Sequence, residues 1–158
     1  MWAESPGPGH GTTLHLTLAL DAHQAPTRTD ARRVLVVDDD ESLRELIVDT
    51  LRDEGYHLAV ARDGLEALDQ VAAEPPALIL LDWMMPRLGG EGFATELRQR
   101  HPTLDVPIVV MTAGGVAHER AASIGADGFI SKPFELAILL DQVARHLGRR
   151  ATDAAPPA

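Results

Sequence analysis

Asp38 with Asp39, Asp82, Thr112 and Lys132 each stand at the end of a run of mostly apolar residues, and between them they carry the groups that phosphoryl chemistry uses. Three carboxylates brought together repel one another, so at least one takes up a proton unless a cation joins them. The chain has no cysteine and no histidine beside these acids, so the donor set is all oxygen. Such a set suits Mg²⁺, which prefers octahedral oxygen ligands and keeps waters or phosphate oxygens in its shell. A carboxylate held there can attack phosphorus to form an acyl phosphate. A lysine supplies a point charge for the incoming oxygens, and a threonine hydroxyl can donate a hydrogen bond to one of them. Positioned charge of this kind is most of what phosphoryl transfer requires.

Residues spread from position 38 to 132 act together only if a fold gathers them. From Arg33 onward the pattern of strand, loop and helix repeats five times. Residues 34–37 are wholly apolar, as a central parallel strand covered on both faces would be. From Glu41, residues Leu43, Leu46, Ile47, Thr50 and Leu51 recur at helical spacing, and Gly55 closes that helix. A strand follows at 57–61 and a helix at 63–73 that stops before Pro75 and Pro76. Residues 77–81 form an apolar strand ending at Asp82, and a helix runs from the 86–90 loop to about Arg100. Residues 107–111 make a strand ending at Thr112, with a helix at 116–124. The last strand, 128–131, ends at Lys132 and Pro133, and a closing amphipathic helix spans 134–147. This order predicts an α/β fold with a doubly wound, five-stranded parallel sheet and five helices, because right-handed crossovers place helices on both faces. In such sheets the site lies beyond the carboxyl ends of the strands, where all five residues should converge.

Composition narrows the rest. The chain of 158 residues has room for one domain with tails, so one site is expected. No apolar run approaches the ~20 residues of a membrane span, and no secretory signal is visible at the start. A soluble, cytoplasmic protein without membrane contact is therefore expected. A formal charge of −10 argues against direct contact with nucleic acid, which needs clustered Lys and Arg. Residues 1–31 read as an extension and linker ahead of a domain at 32–148, and 149–158 as a disordered tail. Within the extension, residues 13–20 alternate apolar and polar in the manner of a half-buried strand.

Four segments in this order resemble the receiver domain of two-component response regulators: Val34-Leu-Val-Val-Asp-Asp-Asp40, Leu81-Asp-Trp-Met-Met-Pro86 with Gly89 and Gly90, Val110-Met-Thr-Ala113, and Ser131-Lys-Pro-Phe134. The resemblance covers Arg33 to about Gly148 and implies a flavodoxin-like topology. It implies that Asp38 and Asp39 hold Mg²⁺, with Mn²⁺ as an alternative, and that the Met84 backbone carbonyl completes the metal shell. By the same likeness Asp82 is the phosphorylated residue, Thr112 and Lys132 sense the phosphoryl group, Phe129 is the switch aromatic, and Pro133 follows a cis bond. The implied donor is a histidine kinase or histidine phosphotransfer protein. The implied output is a changed surface on the fourth helix, fifth strand and fifth helix, which could also pair two copies. Residues 1–24, with Gly7, Gly9, Gly11 and the alternating 13–20 stretch, resemble the end of a histidine-kinase ATP-binding domain. They read as a remnant of a hybrid kinase, with a featureless glycine-rich tail as the competing reading.

Local explanations compete with some of these roles. Asp40 suits a helix N-cap, and Thr112 could be one too; Lys132 alone would be an ordinary surface lysine, and Trp83 and Phe129 could simply pack. Two rival functions share the chemistry or the fold. A haloacid-dehalogenase-like phosphatase also uses a strand-end aspartate and Mg²⁺, but it places a second acid two residues on, where this chain has Met84. A phosphorylation-independent interaction module would have lost one of the acids or Lys132, and all are present.

Overall fold

The computed structural model describes residues 32–153. The strand expected at 13–20 and the kinase-like segment at 1–24 lie outside the described residues. The elements alternate as β1 (Arg33–Val37), α1 (Glu41–Asp53), β2 (His57–Ala61), α2 (Gly64–Ala73), β3 (Leu78–Asp82), α3 (Gly90–Arg100), β4 (Ile108–Ala113), α4 (Ala117–Ser123), β5 (Gly128–Lys132) and α5 (Leu136–Asp153). The strands form one sheet in the order β2-β1-β3-β4-β5, and every neighbouring pair is parallel. This is the predicted doubly wound, flavodoxin-like arrangement. The chain leaves β1 for β2 on one side and crosses back to β3 on the other, which opens a crevice beyond the carboxyl ends of β1 and β3.

The uninterrupted apolar runs of β1, β3 and β4 follow from this burial. Alternate strand residues point to opposite faces, so each run feeds two cores. Leu35, Val37, Ile79, Leu81 and Val110 pack with Leu68, Phe93 and Leu97 beneath α2 and α3. Val34, Val36, Leu80, Val109 and Met111 pack with Ile47, Leu51, Leu139 and Val143 beneath α1 and α5. Each such side chain contributes roughly 1.5–3 kcal/mol when fully buried, and β3, buried along its whole length, anchors both layers.

Several boundaries differ from the sequence reading. In α1 the inward stripe is Leu43, Ile47 and Leu51, spaced by four residues, and Leu46 falls off it and is 49% exposed. The closing helix starts at Leu136, two residues later than expected, because Phe134 belongs to the preceding turn and packs against the core from there. The Glu135 carbonyl instead accepts from the Ile138 and Leu139 N–H groups in the first turn of that helix. The helix then continues to Asp153, past the expected stop at 147 and through residues assigned to a disordered tail. Among the described residues, no helix is long and apolar enough to cross a membrane.

Candidate functional site

The strand ends bring the predicted acids together. Asp38 follows β1 and is fully buried, Asp82 closes β3 and is 4% exposed, and Asp39 faces solvent. One carboxylate oxygen from each lies within 4.8 Å of the others. Asp38 is held in place on several sides. Its backbone N–H donates to the Ala61 carbonyl at 3.1 Å, its Oδ1 accepts from the Asp40 N–H at 2.9 Å, and its carbonyl accepts from the Arg44 guanidinium at 2.7 Å. Asp40 caps α1 by accepting from the Leu43 N–H at 3.1 Å, the role its position after the acidic pair suggested.

Lys132, at the end of β5, reaches into this cluster. Its Nζ donates to Asp38 Oδ2 at 2.7 Å and to Asp82 Oδ1 at 3.1 Å. Burial pushes the Asp82 carboxyl up to about 6, the Asp38 charge pushes the same way, and Lys132 and the Met84 N–H pull against them. Burial by itself would lower the lysine, but its bonds to Asp38 and Asp82 outweigh that and raise it. The set of three carboxylates therefore holds more negative charge than one lysine offsets. Three convergent carboxylates, with Asp82 raised by its burial and by the Asp38 charge, fit a hard divalent cation.

The remaining predicted residues lie on β4, on β5 and on the loops that follow β3 and β5. The Met84 side chain is 66% exposed. Thr112 is buried at the end of β4, the strand next to β3, where Asp82 pairs with Met111. It caps no helix, since α4 begins after Val116. Phe129 is 40% exposed, with its ring edge-on to His118 at 5.7 Å between centroids. The Lys132–Pro133 peptide bond is cis.

Two pairs around the site escaped the sequence reading. The Arg120 guanidinium of α4 donates to Thr112 Oγ1 and lies over the Trp83 ring, 5.6 Å from its centroid. Nothing local marks Arg120, since a lysine or arginine on a short helix is ordinary. Asp63, read as the first residue of a helix, is instead its buried N-cap: it accepts from the Leu65 and Glu66 N–H groups and pairs with the Arg87 guanidinium. The acid at 63 followed by Glu66 three residues on is a capping-box pattern that could have revealed the cap. The partner could not be read, because Arg87 lies on the β3–α3 connection at φ 62. That connection also presses on the start of α2, where the Gly64 N–H donates to the Leu88 carbonyl at 3.0 Å and an added Cβ would meet that oxygen at 2.5 Å. Glycine is needed there because the backbones approach so closely.

Residues 34–144 match the family model described as the response regulator receiver domain. The sequence is 42% identical over 126 residues to a protein named Response regulator MprA from Mycobacterium sp. (strain KMS), covering 78% of this chain and 54% of that one. It is 43% identical over 119 residues to the Mycobacterium avium (strain 104) protein of the same name, covering 74% and 51%. The chain thus spans about half the length of the curated relatives it matches. Among solved structures, the receiver domain of NtrX from Brucella abortus superposes with a TM-score of 0.67 at 33% identity, covering 73% of this chain and 98% of that one. The chemotaxis protein CheY4 of Vibrio cholerae gives 0.65 at 32% identity, covering 72% and 96%.

Proposed function

The chain belongs to the response regulator receiver family and so serves two-component phosphorelay signalling; on that premise we propose that Asp82 is its phosphoacceptor. The observation that carries this reading is the meeting of Asp38, Asp39 and Asp82 under the Lys132 ammonium. In the reaction an Asp82 carboxylate oxygen attacks the phosphorus of a phosphohistidine, the P–N bond breaks, the imidazole leaves, and an acyl phosphate remains on Asp82.

Each neighbouring residue has a part. Lys132 already touches the acceptor oxygen and gives the phosphoryl oxygens a cation close by. The Thr112 hydroxyl donates to one of those oxygens once the group is in place. Asp38 and Asp39, with Asp82 and the Met84 carbonyl, would hold Mg²⁺, or Mn²⁺ in its stead; when bound, the ion would supply charge that offsets the crowded carboxylates and the phosphoryl oxygens. Phe129, outward beside His118, is the aromatic that turns inward as Thr112 moves, and the surface of α4, β5 and α5 changes with it.

The donor is a histidine kinase or a histidine phosphotransfer protein, and the site of action is the cytoplasm. The changed face includes a groove of about 580 Å³ between α4, β5 and α5 and is a candidate surface for pairing two copies. With Met84 two residues past the acceptor, where a phosphatase of similar chemistry has its second acid, the protein is read as a receiver and not as an enzyme turning over a separate substrate. Residues 1–31 are read as a linker and kinase-domain remnant. The expectation of no nucleic-acid contact rested on the charge of this chain alone, and it is not carried over to regulators nearly twice the length of the matched part.

Incubation with acetyl phosphate and Mg²⁺, followed by intact mass, tests the acceptor. The wild type should gain one phosphoryl group and Asp82→Asn none; no gain on the wild type, or an equal gain on the variant, sinks the assignment.

A further inference from the structure

Helix α4 is short and packs through small side chains. It spans only Ala117–Ser123, has no side-chain hydrogen bond at its N-terminus, and buries only Ala117 and Ala121 within its length. Two glycines, Gly114 and Gly115, lead into it with open space around them. Against this background Arg120 makes a pair of contacts that reach the ends of both β3 and β4: its guanidinium donates to Thr112 Oγ1 and lies over the ring of Trp83, the residue directly after Asp82. The Trp83 backbone is held to β4, its N–H donating to the Met111 carbonyl at 3.0 Å.

The chemistry of the threonine hydroxyl makes this contact more than packing. The guanidinium occupies an acceptor lone pair of Thr112 through a charge-assisted bond. The hydroxyl proton, by contrast, finds among the described residues only the Ala113 carbonyl at 3.4 Å, at the weak end of the range. The donor that phosphate sensing requires is therefore held ready, while the oxygen that carries it is tethered to α4.

We infer that Arg120 is a positioning residue that latches Thr112 and α4 in the unphosphorylated arrangement, and that the latch opens when Thr112 moves onto the phosphoryl group. The inference rests on the phosphoacceptor reading of Asp82. Arg120 keeps its seat on Trp83 and gives up the hydroxyl, so the state of Asp82 reaches α4 by a route separate from the Phe129 ring. Removing the guanidinium should favour the phosphorylated arrangement, since the resting arrangement alone loses a bond.

The test titrates the Mg²⁺-loaded protein with beryllofluoride, a non-hydrolysing phosphoryl analogue, in wild type, Arg120→Ala, Thr112→Ala and the double variant. Loss of one charge-assisted hydrogen bond from the resting state alone should tighten analogue binding about tenfold in Arg120→Ala. Mg²⁺ affinity should not weaken, and the gain should vanish in the Thr112→Ala background. Arg120→Lys, which can still donate to the hydroxyl, should fall between wild type and Arg120→Ala. If Arg120→Ala does not fold, Arg120→Met, which keeps apolar contact with Trp83, carries the same expectation. Analogue binding that is unchanged or weaker in Arg120→Ala, or a gain that persists without Thr112, overturns the latch and leaves the acceptor reading standing. A wild type that takes no analogue overturns both.

Discussion

Lys132 donates to Asp82 at 3.1 Å across an intervening strand. The lysine closes β5, the aspartate closes β3, and β4 lies between them, so the contact exists only because the ammonium spans the ends of three strands. It also touches Asp38 beyond Asp82, at 2.7 Å. One flexible side chain thus partly neutralises two buried acids and gives the acceptor oxygen its nearest described cationic partner.

Replacing Lys132 with alanine should separate these two effects. Phosphorylation of Asp82 by acetyl phosphate should slow by about 100-fold or more, the scale on which a lost transition-state contact counts. Mg²⁺ should bind more tightly, because the ion no longer competes with the ammonium for Asp38 and Asp82. Rates by intact mass and affinities by calorimetry check both, and an unchanged phosphorylation rate would remove Lys132 from the chemistry.

Asp82 makes stability depend on pH in a direction set by its raised pKa. Its carboxyl titrates at about 6 in the fold against an ordinary value of 3.8, so the folded protein favours the protonated form. The contribution is fully present below about pH 4 and is lost as pH rises through 6, above which a buried ionised carboxylate destabilises the metal-free protein. Asp82→Asn should therefore stabilise the chain in EDTA at pH 7.5, and the advantage should shrink between pH 6 and pH 4. Urea unfolding at the three pH values gives the answer; an advantage that grows on acidification contradicts the assigned shift.

Divalent metal should act through the same crowding. Mg²⁺ at 100 times its dissociation constant should add about 2.7 kcal/mol to the unfolding free energy, by mass action on the folded state alone. Asp38→Asn, which removes a buried ligand, should lose most of that gain at the same Mg²⁺ concentration. Thermal unfolding with and without EDTA measures it, and an equal gain in the variant would move the metal away from this cluster.

Asp63 should matter to both stability and metal binding. Asp63→Ala removes an N-cap, worth about 1–2 kcal/mol, and frees the Arg87 side chain on the loop that carries Met84. Asp63→Asn keeps the cap and should cost less. Burial raises the Asp63 carboxyl, but the Glu66 N–H, Arg87 and the Leu65 N–H together bring it below its ordinary value. Its contribution is present above pH 4 and lost as pH falls through the lowered value. Urea titrations of the two variants, paired with Mg²⁺ affinities, test the link; an alanine variant as stable as wild type would show the cap to be dispensable.

Much of this protein is legible in the order of its residues. The apolar runs of β1, β3 and β4 identify buried parallel strands because both faces are covered, and the acids after them mark the carboxyl edge. Local periodicity carries that information in adjacent residues. What it misjudged were ends and rotations: Leu46 repeats at helical spacing yet lies off the buried stripe, and Phe134 is apolar because it packs from a turn.

Residue order alone dictated the succession of strands and helices, the three acids, the lysine and the threonine, because each is written in a run of neighbouring residues. Packing in three dimensions then decided that Lys132 would sit between Asp38 and Asp82, that Asp82 would be driven toward protonation, that Asp63 would hold Arg87, and that Arg120 would grip Thr112 against Trp83. Those contacts depend on strand order, on the rotation of α4 and on a loop residue at positive φ. They join residues distant in the chain, and their energies come from burial and charge at distances that no local pattern encodes.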